Sequence, residues 1–186
     1  MHRDLKLENI LVNKKPEAYN KGSNLKISDF EFKIGDMGLA KSLNSKNDLN
    51  QTYAGTPLNM SPELINEGPY DQKADVWSLG IMVYHILTGE RPFFGRNIEE
   101  LKNKLDSGKF KIPSNMDFSL ECIQFVTSCL KSDSGKRLDY NQLLEHPFLS
   151  TERAIKLGVR SSMELDIKQS VDLRIHFQNE IFRKIE

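Results

Sequence analysis

The first chemical signal lies near the start of the chain, in Asp4, Lys6 and Asn9, with Asp36 further on. Transfer of a phosphoryl group needs a carboxylate near the attacking hydroxyl and oxygen ligands for Mg²⁺ around the phosphates. Asp4, Asn9 and Asp36 could supply those groups from loops beside short strands, and Lys6 could stabilise charge on the group in transit. Taken singly, Asp and Asn are also common turn and cap residues, so residue type alone leaves both readings open.

The elements around them are legible from patterning. Leu11 and Val12 begin a short apolar segment, and the polar stretch Asn13 to Asn24, with Pro16 and Gly22, predicts an exposed loop. Leu25, Ile27, Phe30, Phe32 and Ile34 suggest a short strand or hairpin. Between Gly35 and Pro62 there is little periodicity, and a loop of that length in a compact domain calls for a functional reason. Helical patterns follow. Lys73 to Leu87 is apolar on most sides and stops before Gly89. Ile98 to Leu105 is predicted to be capped by Asn97, with Glu100 completing a capping box. Ser119 to Leu130 and Tyr140 to Glu145 predict two more helices, the latter closed by Pro147. Leu173, Phe177, Ile181 and Ile185 recur every four residues and predict an amphipathic terminal helix.

Composition narrows the function classes. The 186 residues suffice for one domain, and 26 Lys plus Arg balance 26 Asp plus Glu, so no overall field recruits nucleic acid or a membrane surface. Neither a basic stripe nor an aromatic platform supports nucleic-acid binding. Cys122 and Cys129 read as reduced core thiols, the four histidines have no metal-ligand spacing, and no apolar run approaches a membrane span. A cytoplasmic or nuclear location is expected.

The spacing then adds a resemblance. His2-Arg3-Asp4-Leu5-Lys6-Leu7-Glu8-Asn9 is similar to the catalytic loop of eukaryotic Ser/Thr protein kinases, Asp to Asn across four residues. Gly55-Thr56-Pro57 with Ser61-Pro62-Glu63 resembles the substrate end of their activation segment. Asp75-Val76-Trp77-Ser78-Leu79-Gly80 resembles the start of their buried central helix, and Gly89-Glu90-Arg91-Pro92-Phe93 the turn after it. Lys136-Arg137-Leu138 and His146-Pro147-Phe148 continue the resemblance to about residue 150. The implied fold is a mainly α-helical kinase C-terminal lobe with short β-hairpins, residues 1–150, followed by an extension, 151–186, that is helical in part.

By resemblance, Asp4 accepts the proton of the substrate hydroxyl, Asn9 helps hold Mg²⁺, Lys6 marks a Ser/Thr rather than a tyrosine enzyme, and Leu11 reaches beneath the adenine of ATP. Two segments compete for the metal-binding aspartate, Asp29-Phe30-Glu31 and Asp36-Met37-Gly38. Asp36 is favoured because Gly38-Leu39-Ala40-Lys41 continues as the family does and Glu31 lacks glycine's freedom. The Asn13–Asn24 stretch is then an insertion. Leu7 stands where proline is commonest, Met37 where phenylalanine is, and Ser61 where alanine is. Thr56 is expected to contact Asp4 and Lys6, Asp75 to hold the catalytic loop's backbone, and Glu63 to pair with Arg137. Arg3 beside Asp4 suggests an activation loop ordered by phosphorylation, with Thr52 as the leading site and Ser42 and Ser45 as alternatives.

The sequence carries no G-x-G-x-x-G and no strand-lysine motif. The expectation is therefore a kinase whose ATP-binding N-terminal lobe is absent, with apolar surface exposed on the Lys73–Leu87 helix for a regulatory protein or a missing lobe to cover. Two function classes follow. One is an ATP- and Mg²⁺-dependent Ser/Thr kinase acting on protein substrates; the other is a non-catalytic C-lobe binding or scaffold module.

Overall fold

The computed structural model describes residues 1–21, 25–39, 57–114 and 116–149. Thr52, Thr56, Ser42, Ser45 and the 151–186 extension lie outside them. The described residues divide into two compact units, one containing Met1–Leu11 with those from Lys33 to Leu149, the other those of Val12–Phe32.

The larger unit is built on helices: α1 (Pro62–Ile65), α2 (Lys73–Thr88), α3 (Ile98–Ser107), α4 (Leu120–Cys129) and α5 (Tyr140–Leu144). Helix α2 is its axis. Val76, Trp77, Ile81 and Tyr84 are buried together with Phe93, Leu101, Leu105, Phe125, Val126, Cys129 and Leu130 in one core. It ends because Gly89 adopts φ 71° and returns its N–H to the carbonyl of His85 at 2.9 Å, a left-handed stop that an L side chain would strain. A Cβ on Gly80 would lie 2.7 Å from the Cβ of Cys129 and 2.9 Å from Leu130, so α2 and α4 approach more closely than any side chain there would permit.

The other helices bury single stripes. Leu101 and Leu105 carry α3 into the core, and Cys122, Phe125, Val126 and Cys129 carry α4. Burial pushes the thiols of Cys122 and Cys129 up, to about 11 and about 12, so both stay protonated at neutral pH and serve as apolar filler. Ser119 caps α4 by accepting the N–H of Cys122 at 3.2 Å. At α3 only half of the expected box forms. Asn97 accepts the N–H of Glu100 at 2.8 Å, but the Glu100 carboxylate turns to Arg96 and Lys104 instead of to the Asn97 N–H. The complete box stands on α5, where Asp139 and Gln142 exchange bonds of 2.9 and 3.0 Å.

The sheet among the described residues is one hairpin of β1 (Ile10–Lys14) and β2 (Phe30–Ile34). Two expectations about it need correcting. The stretch after β1 is not simply an exposed loop, because Pro16–Lys21 winds into a 3₁₀ helix that buries Ala18. The strand also does not begin at Leu25. The Asp29 carboxylate accepts the N–H of Lys26 at 2.8 Å and the Asp29 N–H bonds the Lys26 carbonyl at 2.9 Å, so Ile27–Asp29 closes as a turn before β2 starts.

The apolar face expected to be bare on α2 is largely covered. Leu79, Val83 and Leu87 are partly buried against the core, and Ile86 is the large residue of α2 left exposed.

Candidate active site

The site is assembled on a turn that α2 holds. Residues 2–6 precede a single 3₁₀ turn, Leu7–Asn9, which leads into β1. Arg3 sits at φ 72°, a left-handed conformation costing a non-glycine residue roughly 1–2 kcal/mol. It is held there by Asp75, a buried residue in the first turn of α2, whose Oδ2 accepts the N–H of His2 at 2.7 Å and whose Oδ1 accepts the N–H of Arg3 at 2.9 Å. Two charge-assisted bonds to successive main-chain amides thus fix where Asp4 projects.

Asp4 is buried, and three of the sequence-selected residues meet there. Its Oδ2 accepts Lys6 Nζ at 2.6 Å and Asn9 Nδ2 at 3.3 Å, while Asn9 Nδ2 also donates to the Asp4 carbonyl at 2.9 Å. Since both bonds use the amide nitrogen of Asn9, its amide oxygen is left for another partner.

Asp36 is brought alongside by the main chain. The N–H of Gly35 donates to the carbonyl of Asn9 at 2.7 Å, and the Nε2 of His2 bonds the carbonyl of Gly35 at 3.0 Å. The N–H of Asp4 donates to the Nδ1 of His2 at 3.3 Å, which makes Nδ1 the acceptor and Nε2 the protonated nitrogen. Asp36 itself lies at φ 56° with its carboxylate exposed. The competing Asp29 has its carboxylate occupied within its own unit. Lys21 and the Lys26 N–H bind it and hold its carboxyl below the ordinary carboxylate range. The side chain of Leu11 lies against Gly35, where a Cβ would come within 3.2 Å of it, and remains 55% exposed.

The far wall is structural. Arg137, fully buried, grips Glu63 with Nη1 to Oε1 at 2.6 Å and Nη2 to Oε2 at 2.9 Å. It also donates to the carbonyls of Lys131 and Lys73 and lies 5.1 Å from the ring of Trp77, which stacks on Phe93. The pair anchors α1, and with it the backbone leading from Pro57, to the first turn of α2.

The pattern of residues 1–149 matches the family model described as the protein kinase domain. The chain belongs to the protein kinase family. Among curated kinases it is 34% identical over 87% of its length to the serine/threonine-protein kinase ATG1c of Arabidopsis thaliana, and 36% identical over 80% to the serine/threonine-protein kinase fused of Drosophila melanogaster. It is 33% identical over 80% to the human serine/threonine-protein kinase Nek5. The chain spans 21%, 16% and 19% of these three kinases.

No cluster of three or more His, Cys, Asp or Glu residues suited to a metal exists among the described residues. A kinase metal does not need one. Mg²⁺ is usually held by one or two protein oxygens, with nucleotide phosphates and water completing its shell. The amide oxygen of Asn9 and the carboxylate of Asp36, joined through the Gly35–Asn9 bond, suit that donor set.

Sequence reasoning missed His2 as the link between the Asp4 turn and Gly35, because nothing in the spacing marks a contact across 33 residues. It also missed buried Asn59, whose side chain accepts Arg91 Nη1 at 2.9 Å and whose carbonyl accepts Ser78 Oγ at 2.9 Å. A polar residue between Leu58 and Met60, just before a helix-starting Pro62, was the available signal.

Proposed function

We propose that the chain forms the substrate- and metal-holding part of a serine/threonine protein kinase, moving the γ-phosphoryl group of ATP to Ser or Thr hydroxyls of proteins. The observation that carries this reading is the Asp4 carboxylate gripped by both Lys6 and Asn9. Asp4 orients the substrate hydroxyl and takes its proton. Lys6, 2.6 Å from Asp4, neutralises charge shared between that carboxylate and the arriving phosphoryl oxygens. Asn9 and Asp36 would hold Mg²⁺, which when bound neutralises phosphate charge and aligns the γ-phosphoryl group. Leu11 would support the adenine. Thr56 would steady Asp4 and Lys6 from the activation segment, and Thr52 is the phosphorylation site that would order it. The Ser/Thr assignment rests on Lys6 and on the likeness to serine/threonine-protein kinases.

The rest of the cleft over ATP must come from residues other than those described, because phosphoryl transfer depends on positioning and a displacement of about 1 Å can cost roughly 10²-fold. The test compares residues 1–186 alone with the same segment joined to a compatible ATP-binding lobe, each with Mg²⁺, labelled ATP and generic Ser/Thr substrates. Transfer in the joined protein alone, abolished by Asp4→Asn, is expected. A folded joined protein that transfers nothing would overturn the catalytic reading in favour of a C-lobe binding module.

A further inference from the structure

The passage out of α5 turns on one imidazole. His146 lies between α5 and the 3₁₀ turn Pro147–Leu149. Its N–H donates to the carbonyl of Leu143 at 3.2 Å, and its carbonyl accepts the N–H of Leu149 at 2.9 Å. Its ring takes part as well, with Nδ1 accepting the N–H of Phe148 at 3.2 Å. Pro147 has no N–H, so Phe148 offers the first main-chain donor beyond the ring.

The same ring packs on α4. It stands at 75° to buried Phe125 with centroids 5.2 Å apart, and Phe148 leans on that phenylalanine at 4.9 Å and 36°. Phe125 belongs to the main core, and Phe148 is half-buried against it. The bond from Phe148 to His146 therefore helps set how the turn meets α4. It exists in only one protonation state. Nδ1 accepts through a lone pair of the neutral imidazole, whereas in the imidazolium both ring nitrogens carry protons, and the Phe148 N–H would face a second donor.

We propose that His146 is a pH-operated latch: neutral, it bonds Phe148 and holds the turn Pro147–Leu149 closed on α4; protonated, it lets the turn lift and uncovers the apolar face around Phe125. The latch does not depend on the reading of Asp4 as a kinase group. Phe125 and Phe148 bring no charge to the ring. Glu121 of α4 favours the imidazolium, Glu145 precedes His146 in the chain, and Asp139 of α5 is committed to the N–H of Gln142. Burial outweighs Glu121 and holds the imidazole below its ordinary value of 6.5. A folded value under the unfolded one makes the closed turn's contribution complete above pH 6.5, and it is lost as pH falls through the folded value.

The test follows the full 186-residue chain by NMR from about pH 8 to about pH 5. The His146 ring proton and the Phe148 amide should move together with one midpoint below 6.5, and the Phe148 ring should lose its shift from Phe125 over the same range. The protection of the Phe148 amide against hydrogen exchange should fall about tenfold across the transition. His146→Asn supplies an Oδ1 that accepts the N–H two residues on without titrating, so its Phe148 signals should stay constant with pH. His146→Phe keeps an aromatic ring but no acceptor, and should leave the Phe148 amide unprotected at both ends of the range. The latch is overturned by a Phe148 that stays still while His146 titrates, or by a His146 midpoint at or above 6.5. It is equally overturned by a wild-type transition persisting in His146→Asn, or by full protection of Phe148 in His146→Phe. Where a variant does not fold, the wild-type titration decides alone.

Discussion

Arg137 and Glu63, 74 residues apart in sequence, meet as a two-pronged ion pair with the arginine wholly buried and the glutamate nearly so. Removing one side strands a charge in the interior, a loss of about 3–5 kcal/mol. Glu63→Ala should therefore lower the melting temperature of the chain by many degrees. An unchanged melting temperature would show that Arg137 finds full compensation in the carbonyls of Lys73, Lys131 and Ser132.

Asp36 and Asp29 are separated by a pair of substitutions in the joined kinase. If Asp36 holds Mg²⁺ as proposed, Asp36→Asn should reduce phosphoryl transfer by about 10²-fold or more, because a carboxylate ligand would be replaced by a neutral amide. Asp29→Asn should leave transfer near its original rate and act on stability, since Asp29 serves Lys21 and the Lys26 N–H. The opposite pattern in a steady-state assay would reassign the metal ligand.

What the sequence made visible follows from the range of the forces involved. Helix α2 was legible because an apolar run with a glycine beyond it is a local pattern, and Gly89 indeed turns left-handed there. The grouping of Asp4, Lys6 and Asn9 was legible because they share one short loop. The 3₁₀ turns at Pro16–Lys21 and Ile27–Asp29 were not, because they are too short for periodicity and one of them is closed by a side chain competing for the backbone. Helix α1 escaped for the same reason, having only 4 residues. The Arg91–Asn59 contact joins two loops and leaves no periodic trace.

Ser61 is buried completely, and its hydroxyl has no hydrogen-bond partner among the described residues. It occupies the N-cap of α1 without making a side-chain cap bond. Ser61→Ala should therefore stabilise the chain by about 1 kcal/mol, read as a higher urea midpoint at an unchanged slope. A lower midpoint would reveal a partner for the hydroxyl, such as an ordered water.

Glu100 carries the pH dependence of α3. Bonds from the Arg96 N–H, the Arg96 side chain and Lys104 lower its carboxyl from 4.5 to about 2. Its folded value lies below the unfolded one, so its contribution is complete above pH 4.5 and is lost as pH falls toward 2. The wild-type chain should lose stability across that window more steeply than Glu100→Gln, in a small difference that salt diminishes. Identical pH profiles for the two proteins would remove Glu100 from the account.

The bonds from Asp75 to His2 and Arg3 make the turn that carries Asp4 and the first turn of α2 a single cooperative unit in time as well as in space. The amide hydrogens of His2 and Arg3 can reach solvent deuterium only when that carboxylate lets go. Their exchange should therefore keep pace with the opening of the start of α2 rather than with the loops around them. A partner or modification that frays that end of α2 would release the backbone beside Asp4 in the same event, without touching the cleft.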